Sequence, residues 1–231
     1  MELMNRISLA LQVGKARDVE ALVQQAIDEG VTASDILNEG LVNGMNVIGA
    51  KFKNTEIYVP DVLIAARAMK AGAELLKPLL KADGVQANGK AVIGTVSGDL
   101  HDIGKNLVAM MMEGKGMEII DLGCDVPADR FLQAAIDNDA QIICCSALLT
   151  TTMGEMKNVV EMAKQKGIRD KVTIMVGGAP VNESYCRQIG ADIYAPDAAS
   201  AAEAAMASLL NRHITNGIRQ HKRRADPRSI F

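Results

Sequence analysis

A chain of 231 residues is long enough for one large domain or two small ones, each with a buried core. With 25 basic against 28 acidic residues, its net charge of −3 excludes a body-wide footprint for wrapping nucleic acid. Only 3% of the residues are aromatic and none is Trp, which argues against stacking platforms; 48% hydrophobic with 23% charged fits a folded domain.

The opening MELMNRISLALQVGKARD lacks the charged, apolar and small-residue succession of a leader. No apolar run approaches the ~18 residues of a membrane span, so a cytoplasmic protein without membrane contact is expected. Ile7, Leu11, Val19, Leu22, Val23 and Ile27 recur at helical spacing, with Gly14 and Gly30 as stops. Thr32 or Ser34 can cap a third helix carrying Ile36, Leu37, Leu41, Met45 and Ile48. Pro60 suits the start of a fourth, DVLIAARAMKAGAELLKPLL. Residues 1–82 therefore predict a four-helix bundle, and the polar stretch at 83–89 a linker.

From residue 90 the pattern becomes strand, turn, helix, repeated. KAVIGTV (90–96), MEIIDLG (117–123), QIICCSA (141–147), VTIMVGG (172–178) and DIYA (192–195) are short apolar runs without strict alternation, as in buried parallel strands. Helical stretches separate them, and residues 90–212 predict a doubly wound α/β domain of flavodoxin-like size with about five strands. The last segment, 213–231, reads as a basic tail: with Arg212 it holds six Arg/Lys and one Asp, leaving 19 basic and 27 acidic residues in the body. A solvated extension is the simpler reading, and a nucleic-acid or acidic-protein contact the alternative.

The four cysteines at 124, 144, 145 and 186 form no CxxC pair, and Cys144-Cys145 sits in an apolar strand as small hydrophobes do. Met110, Met111 and Met112 fall inside a predicted helix and read as core filling.

Open α/β sheets bind ligands beyond the carboxyl ends of their strands. After the first strand comes Ser97-Gly98-Asp99-Leu100-His101-Asp102-Ile103-Gly104; after the third, Ser146-Ala147-Leu148 and then Thr150, Thr151 and Thr152; after the fourth, Gly177-Gly178. His101 is the sole His before the tail and is flanked by Asp99 and Asp102. A carboxylate can hold one ring nitrogen as N–H and leave the other free for a metal. One His with scattered carboxylates does not assemble a zinc site. A single His ligand does suit a metal that arrives wrapped in a macrocycle, with glycines letting the backbone come close.

Asp99-Leu100-His101-Asp102-Ile103-Gly104 matches the DxHxxG signature of cobalamin-binding domains. Ser146-Ala147-Leu148 matches their SxL element after 41 intervening residues, and Gly177-Gly178 their GG element after 28 more. With the helical segment EIYVPDVLIAARAMKAG before it, the chain resembles the free-standing corrinoid proteins of methyltransferase systems. It is similar also to the matching modules of cobalamin-dependent methionine synthase.

That resemblance implies cobalamin as cofactor, alternating between methylcobalamin and cob(I)alamin in a base-off, His-on form. His101 would be the lower axial ligand of cobalt, and Asp99 would hydrogen-bond its other nitrogen. Thr152 would complete a proton relay, where methionine synthase has Ser. Ser97, Gly98, Asp102, Ile103, Gly104, Ser146, Leu148, Thr150, Gly177 and Gly178 would border the cofactor and its nucleotide tail. Tyr58, Val59 and Val62 would lie in the cap over the corrin.

The function so implied is that of a methyl carrier, not catalytic alone. It would serve a substrate-specific methyltransferase, a second methyltransferase using tetrahydrofolate, and a reductive activating protein. Aryl methyl ether O-demethylation is the expected donor chemistry, with methylamines, betaines or methanol as the alternative. A cobalamin-dependent sensor is a rival reading, but such regulators carry a DNA-binding module before the cap. A cofactor-free interaction protein leaves the three spaced motifs unexplained.

Overall fold

The computed structural model describes residues 2–83 and 87–224, with side chains to residue 212. Helical spacing of apolar residues makes α1 (Glu2–Gln12) and α2 (Ala16–Asp28) amphipathic, and Met4, Ile7, Leu11, Val19 and Val23 are buried along their inner faces. Gly14 and Gly30, at φ of 71° and 79°, turn the chain after each helix in the left-handed region that glycine adopts without penalty.

Thr32 caps the next rod, its hydroxyl accepting from the Asp35 backbone N–H over 3.1 Å. That rod runs through α3 (Ala33–Asp35), a π-helical segment (Ile36–Val42) and α4 (Asn43–Lys53). The sequence predicts a regular helix here. The wider turn instead sends both Ile36 and Leu41, five positions apart, into the core. Gly40 and Gly44 then admit α1 closely, since a Cβ at Gly40 would stand 3.1 Å from Ile7 and one at Gly44 3.2 Å from the Ser8 carbonyl.

α5 (Val59–Ala82) starts with Pro60 in its first turn and with the Asp61 carboxylate accepting from the Tyr58 N–H over 2.9 Å. It buries Val62, Ala65, Ala68, Met69, Gly72 and Leu76. Of the expected linker, residues 84–86 lie outside the described residues.

Five parallel strands come next, β1 (Lys90–Thr95), β2 (Glu118–Asp121), β3 (Ile142–Ser146), β4 (Thr173–Gly177) and β5 (Ile193–Tyr194), in spatial order β2-β1-β3-β4-β5. Between them run α6 (Ile103–Glu113), α7 (Ala128–Asp137), α8 (Gly154–Gln165) and α9 (Glu183–Ile189), with α10 (Ala198–Arg224) last.

Successive strand residues alternate between two cores. Ile93, Ile142, Cys144 and Met175 pack with α6, α10 and the bundle, while Val92, Ile143, Cys145 and Val176 pack with α7, α8 and α9. Burial on both faces is why the inner strands β1, β3 and β4 read as unbroken apolar runs. The bundle joins the first of these cores, with Met45 against Gly114, Gly49 against Met111, and Lys53 bonded to Glu203 over 2.9 Å.

The sheet order reverses direction between β1 and β3, which opens a crevice at their carboxyl ends. The register aligns Thr95 with Ser146 and Ser146 with Gly177, so all three motif loops leave the sheet from one row. α10 continues past Arg212 to Arg224, through part of the expected tail; residues 225–231 lie outside the described residues. No helix among the described residues is long and apolar enough to cross a membrane.

Candidate functional site at the carboxyl edge of the sheet

Asp99 sits just beyond β1 and is fully buried. Its Oδ1 accepts from the His101 backbone N–H over 3.1 Å and lies 2.7 Å from His101 Nδ1. Its Oδ2 accepts from the backbone N–H groups of Leu148 and Leu149 over 2.8 and 3.1 Å and from the Thr152 hydroxyl over 2.9 Å. Burial by itself would push the Asp99 carboxyl up. The bonds from His101, Leu148 and Thr152 outweigh it and hold the group well below the usual carboxylate range.

An ionised carboxylate only accepts, so His101 must present Nδ1 as N–H. The neutral ring then carries its lone pair on Nε2, in a side chain that is 51% exposed. Thr95 fixes the loop from below, its buried hydroxyl donating to the His101 carbonyl over 2.7 Å.

Residues 100–104 are exposed without interruption, Leu100 and Ile103 each at 75%. Together with Leu148 and Leu149, also exposed, they give the histidine an apolar surround that a soluble surface rarely displays without a ligand to cover it.

Gly104 lies in the first turn of α6, where a Cβ would meet no atom within 4 Å. Nothing in the chain demands glycine there, although a helix favours Ala over Gly by about 1 kcal/mol. The space suits close approach of a large group. Gly178 differs: at φ 127° a Cβ would collide with the Ala147 carbonyl, so its backbone is needed for the β3–β4 loop contact itself.

Ser97, Ser146 and Gly177 are half-buried, Gly98, Asp102 and Thr150 are exposed, and Thr152 is buried. These residues occupy the β1, β3 and β4 loops of the same edge. Asp102 also holds the first turn of α6, accepting from the Asn106 side chain over 3.1 Å. The cap residues are not brought together in the same way. Val62 is fully buried inside the bundle, Val59 is half-buried, and Tyr58 is 70% exposed at the start of α5.

The loop after β2, which none of the three motifs includes, is also part of this edge. Asp125 Oδ1 accepts from the Gly98 N–H over 2.7 Å and from the Ser97 hydroxyl over 3.3 Å. Lys105, buried in α6, donates to both oxygens of Asp121 over 2.7 and 2.6 Å. The signal for it in the sequence is the segment DLGCDVP at the carboxyl end of the second strand, and β2 lies directly beside β1.

Among the described residues no cluster of three or more His, Cys, Asp or Glu could hold a metal ion. A single available imidazole fits a metal whose other positions are already filled, and the apolar surround and the Gly104 space fit a large flat chelate. Comparison with known proteins identifies such a group. The B12 binding domain family matches residues 89–206, and a second B12 binding domain family matches residues 3–77.

The chain belongs to the B12-binding corrinoid proteins.

Among relatives of this corrinoid protein, a dimethylamine corrinoid protein of Methanosarcina barkeri is 42% identical over 202 residues, 87% of this chain and 94% of the relative. A corrinoid protein of Desulfitobacterium hafniense is 40% identical over 208 residues, 89% of this chain and 96% of the relative. Among solved structures, a chain of the methanol:cobalamin methyltransferase complex of Methanosarcina barkeri matches with a TM-score of 0.81 at 33% identity. The match covers 90% of this chain and 80% of that one. These names fit methylamine and methanol, the alternative donors, better than the aryl methyl ethers expected first.

Proposed function

We propose that this protein is the methyl-carrying corrinoid subunit of a multi-component methyltransferase system, with a methylated amine or methanol as donor. The observation that carries the reading is the 2.7 Å Asp99–His101 bond, which leaves Nε2 free to ligate a metal on an edge where Leu100, Ile103, Leu148 and Leu149 are exposed. Bound cobalamin would supply a cobalt centre able to accept a methyl group and give it up again.

The chain's own part is to bind, orient and hold a proton. His101 would hold the group through Nε2. Asp99 keeps Nδ1 protonated and the ring fixed. Thr152 has one hydroxyl hydrogen and two acceptors, Asp99 Oδ2 at 2.9 Å and the Leu149 carbonyl at 3.0 Å. It can donate to the ionised Asp99 and so help hold the carboxylate that keeps Nδ1 protonated.

Ser97, Gly98, Ser146, Leu148, Thr150, Gly177 and Gly178 would line the slot for the displaced nucleotide tail. The bundle, with Tyr58 exposed on it, would cover the opposite face. Its partners would be a donor-specific methyltransferase, a second methyltransferase using tetrahydrofolate, and a reductive activating protein. The names of the relatives support methylamines and methanol ahead of aryl ethers.

The test is methyl transfer to the reduced holoprotein with purified methyltransferases for dimethylamine, methanol and an aryl methyl ether. Methylation through the amine or the methanol enzyme is expected. Methylation through the aryl ether enzyme alone would overturn the donor assignment, and none through any would overturn the carrier role.

A further inference from the structure

We propose that Asp125 is a positioning residue for the axial histidine, holding the Asp99–His101 pair in ligating geometry from outside its motif. The proposal rests on the cobalamin reading above. Asp125 reaches the turn before His101 at three points. Its carboxylate accepts from the Gly98 N–H over 2.7 Å and from the Ser97 hydroxyl over 3.3 Å, and its own N–H donates to the Asp99 carbonyl over 3.0 Å. One residue therefore ties the backbone on both sides of Asp99, whose side chain in turn fixes the imidazole.

The conformation is an unusual one. Asp125 stands at φ 53°, one of three non-glycine residues with positive φ among those described. Asp tolerates that region better than most residues but still at a cost, so its presence points to a use for the side chain. Gly98, at φ 78°, supplies the matching turn that directs its N–H to the carboxylate.

The loop carrying Asp125 is itself braced. The buried Lys105 ammonium bonds Asp121, and Asp121 Oδ1 also accepts from the Gly123 N–H over 2.9 Å. The backbone continues the grip, with Thr95 N donating to the Gly123 carbonyl over 2.9 Å and Val126 N to the Thr95 carbonyl over 3.0 Å. The His101 segment is thus held at its start by Asp125 and at its end, through α6, by Lys105 and Asp121.

Two substitutions isolate the carboxylate. Asp125→Gly keeps the left-handed backbone and the N–H but removes the acceptor. Asp125→Asn keeps both the backbone preference and an acceptor oxygen. Three readouts apply: thermal unfolding, the His101 imidazole nitrogen shifts of the apoprotein, and hydroxocobalamin affinity with the fraction of histidine-ligated corrinoid.

With folding retained, Asp125→Gly should weaken affinity about tenfold, lower the ligated fraction and disperse the single Nδ1–H tautomer. Asp125→Asn should stay within about threefold of wild type. The proposal is overturned if Asp125→Gly matches wild type in tautomer and affinity, or if Asp125→Asn falls equally far. Failure of wild type to bind hydroxocobalamin would overturn the cobalamin reading, while the apoprotein comparison would still decide whether Asp125 orders the imidazole.

Discussion

The Leu148 backbone N–H, at the end of β3, donates over 2.8 Å to the Asp99 carboxylate at the end of β1, forty-nine positions earlier in the chain. Two sequence elements that look independent are thereby one structure, the second supplying donors to the acid of the first. Leu148 leaves its side chain exposed and serves the acid through its backbone.

Asp99→Ala should accordingly harm the apoprotein itself. It removes the acceptor for the backbone N–H groups of His101, Leu148 and Leu149 and for Thr152. Stranding the buried Thr152 hydroxyl and three part-buried backbone donors is expected to cost on the order of 3 kcal/mol in urea unfolding. Because its bonds hold the Asp99 carboxyl below its ordinary pKa, this contribution is present above the unfolded carboxylate value of about 4 and fades as pH falls towards the lower folded value. A change below about 0.5 kcal/mol at neutral pH would contradict the bond network.

The two motif glycines should separate in opposite directions. Gly104→Ala places a methyl group in open space on a helix and should leave the apoprotein as stable or up to about 1 kcal/mol more so. The same methyl should weaken corrinoid binding. Gly178→Ala combines a left-handed φ of 127° with a collision against Ala147 and should lose about 2 kcal/mol or more. Paired denaturation and cobalamin titration measure both; equal stability losses would refute the division.

The strand pair Cys144-Cys145 gives a third test. The residues face opposite cores, and burial pushes the Cys144 thiol up to about 12, with Cys145 raised further. Native protein at pH 8 should react with a thiol reagent quickly at Cys124 alone, since Cys186 is also buried. The two thiols stay protonated when folded but ionise when unfolded above about 8.5, so stability should fall as pH rises from there towards 12. Rapid modification of Cys144 in folded protein would contradict this burial.

The βα succession is readable because parallel strands buried on both faces leave unbroken apolar runs, and His101 is readable because it is the sole His before the tail. Local spacing does not show the π-helical segment, which arises from packing of Ile36 and Leu41 against neighbouring helices. Nor does it show Asp125, whose side-chain partners lie 27 positions or more away and whose left-handed backbone carries no glycine to mark it. Val62 illustrates the opposite limit. Its helical position gives no indication of which face of α5 the bundle buries, and the structure places it in the core.

The most direct test of His101 as the axial ligand is the ultraviolet–visible spectrum of wild type and His101→Ala after anaerobic incubation with hydroxocobalamin. The imidazole is 51% exposed, so the substitution should leave the fold intact while removing the ligand. Wild type should retain about one corrinoid per chain with bands of histidine ligation, and the variant should lose those bands. Failure of folded wild type to retain corrinoid, or identical spectra for the two proteins, would contradict the account.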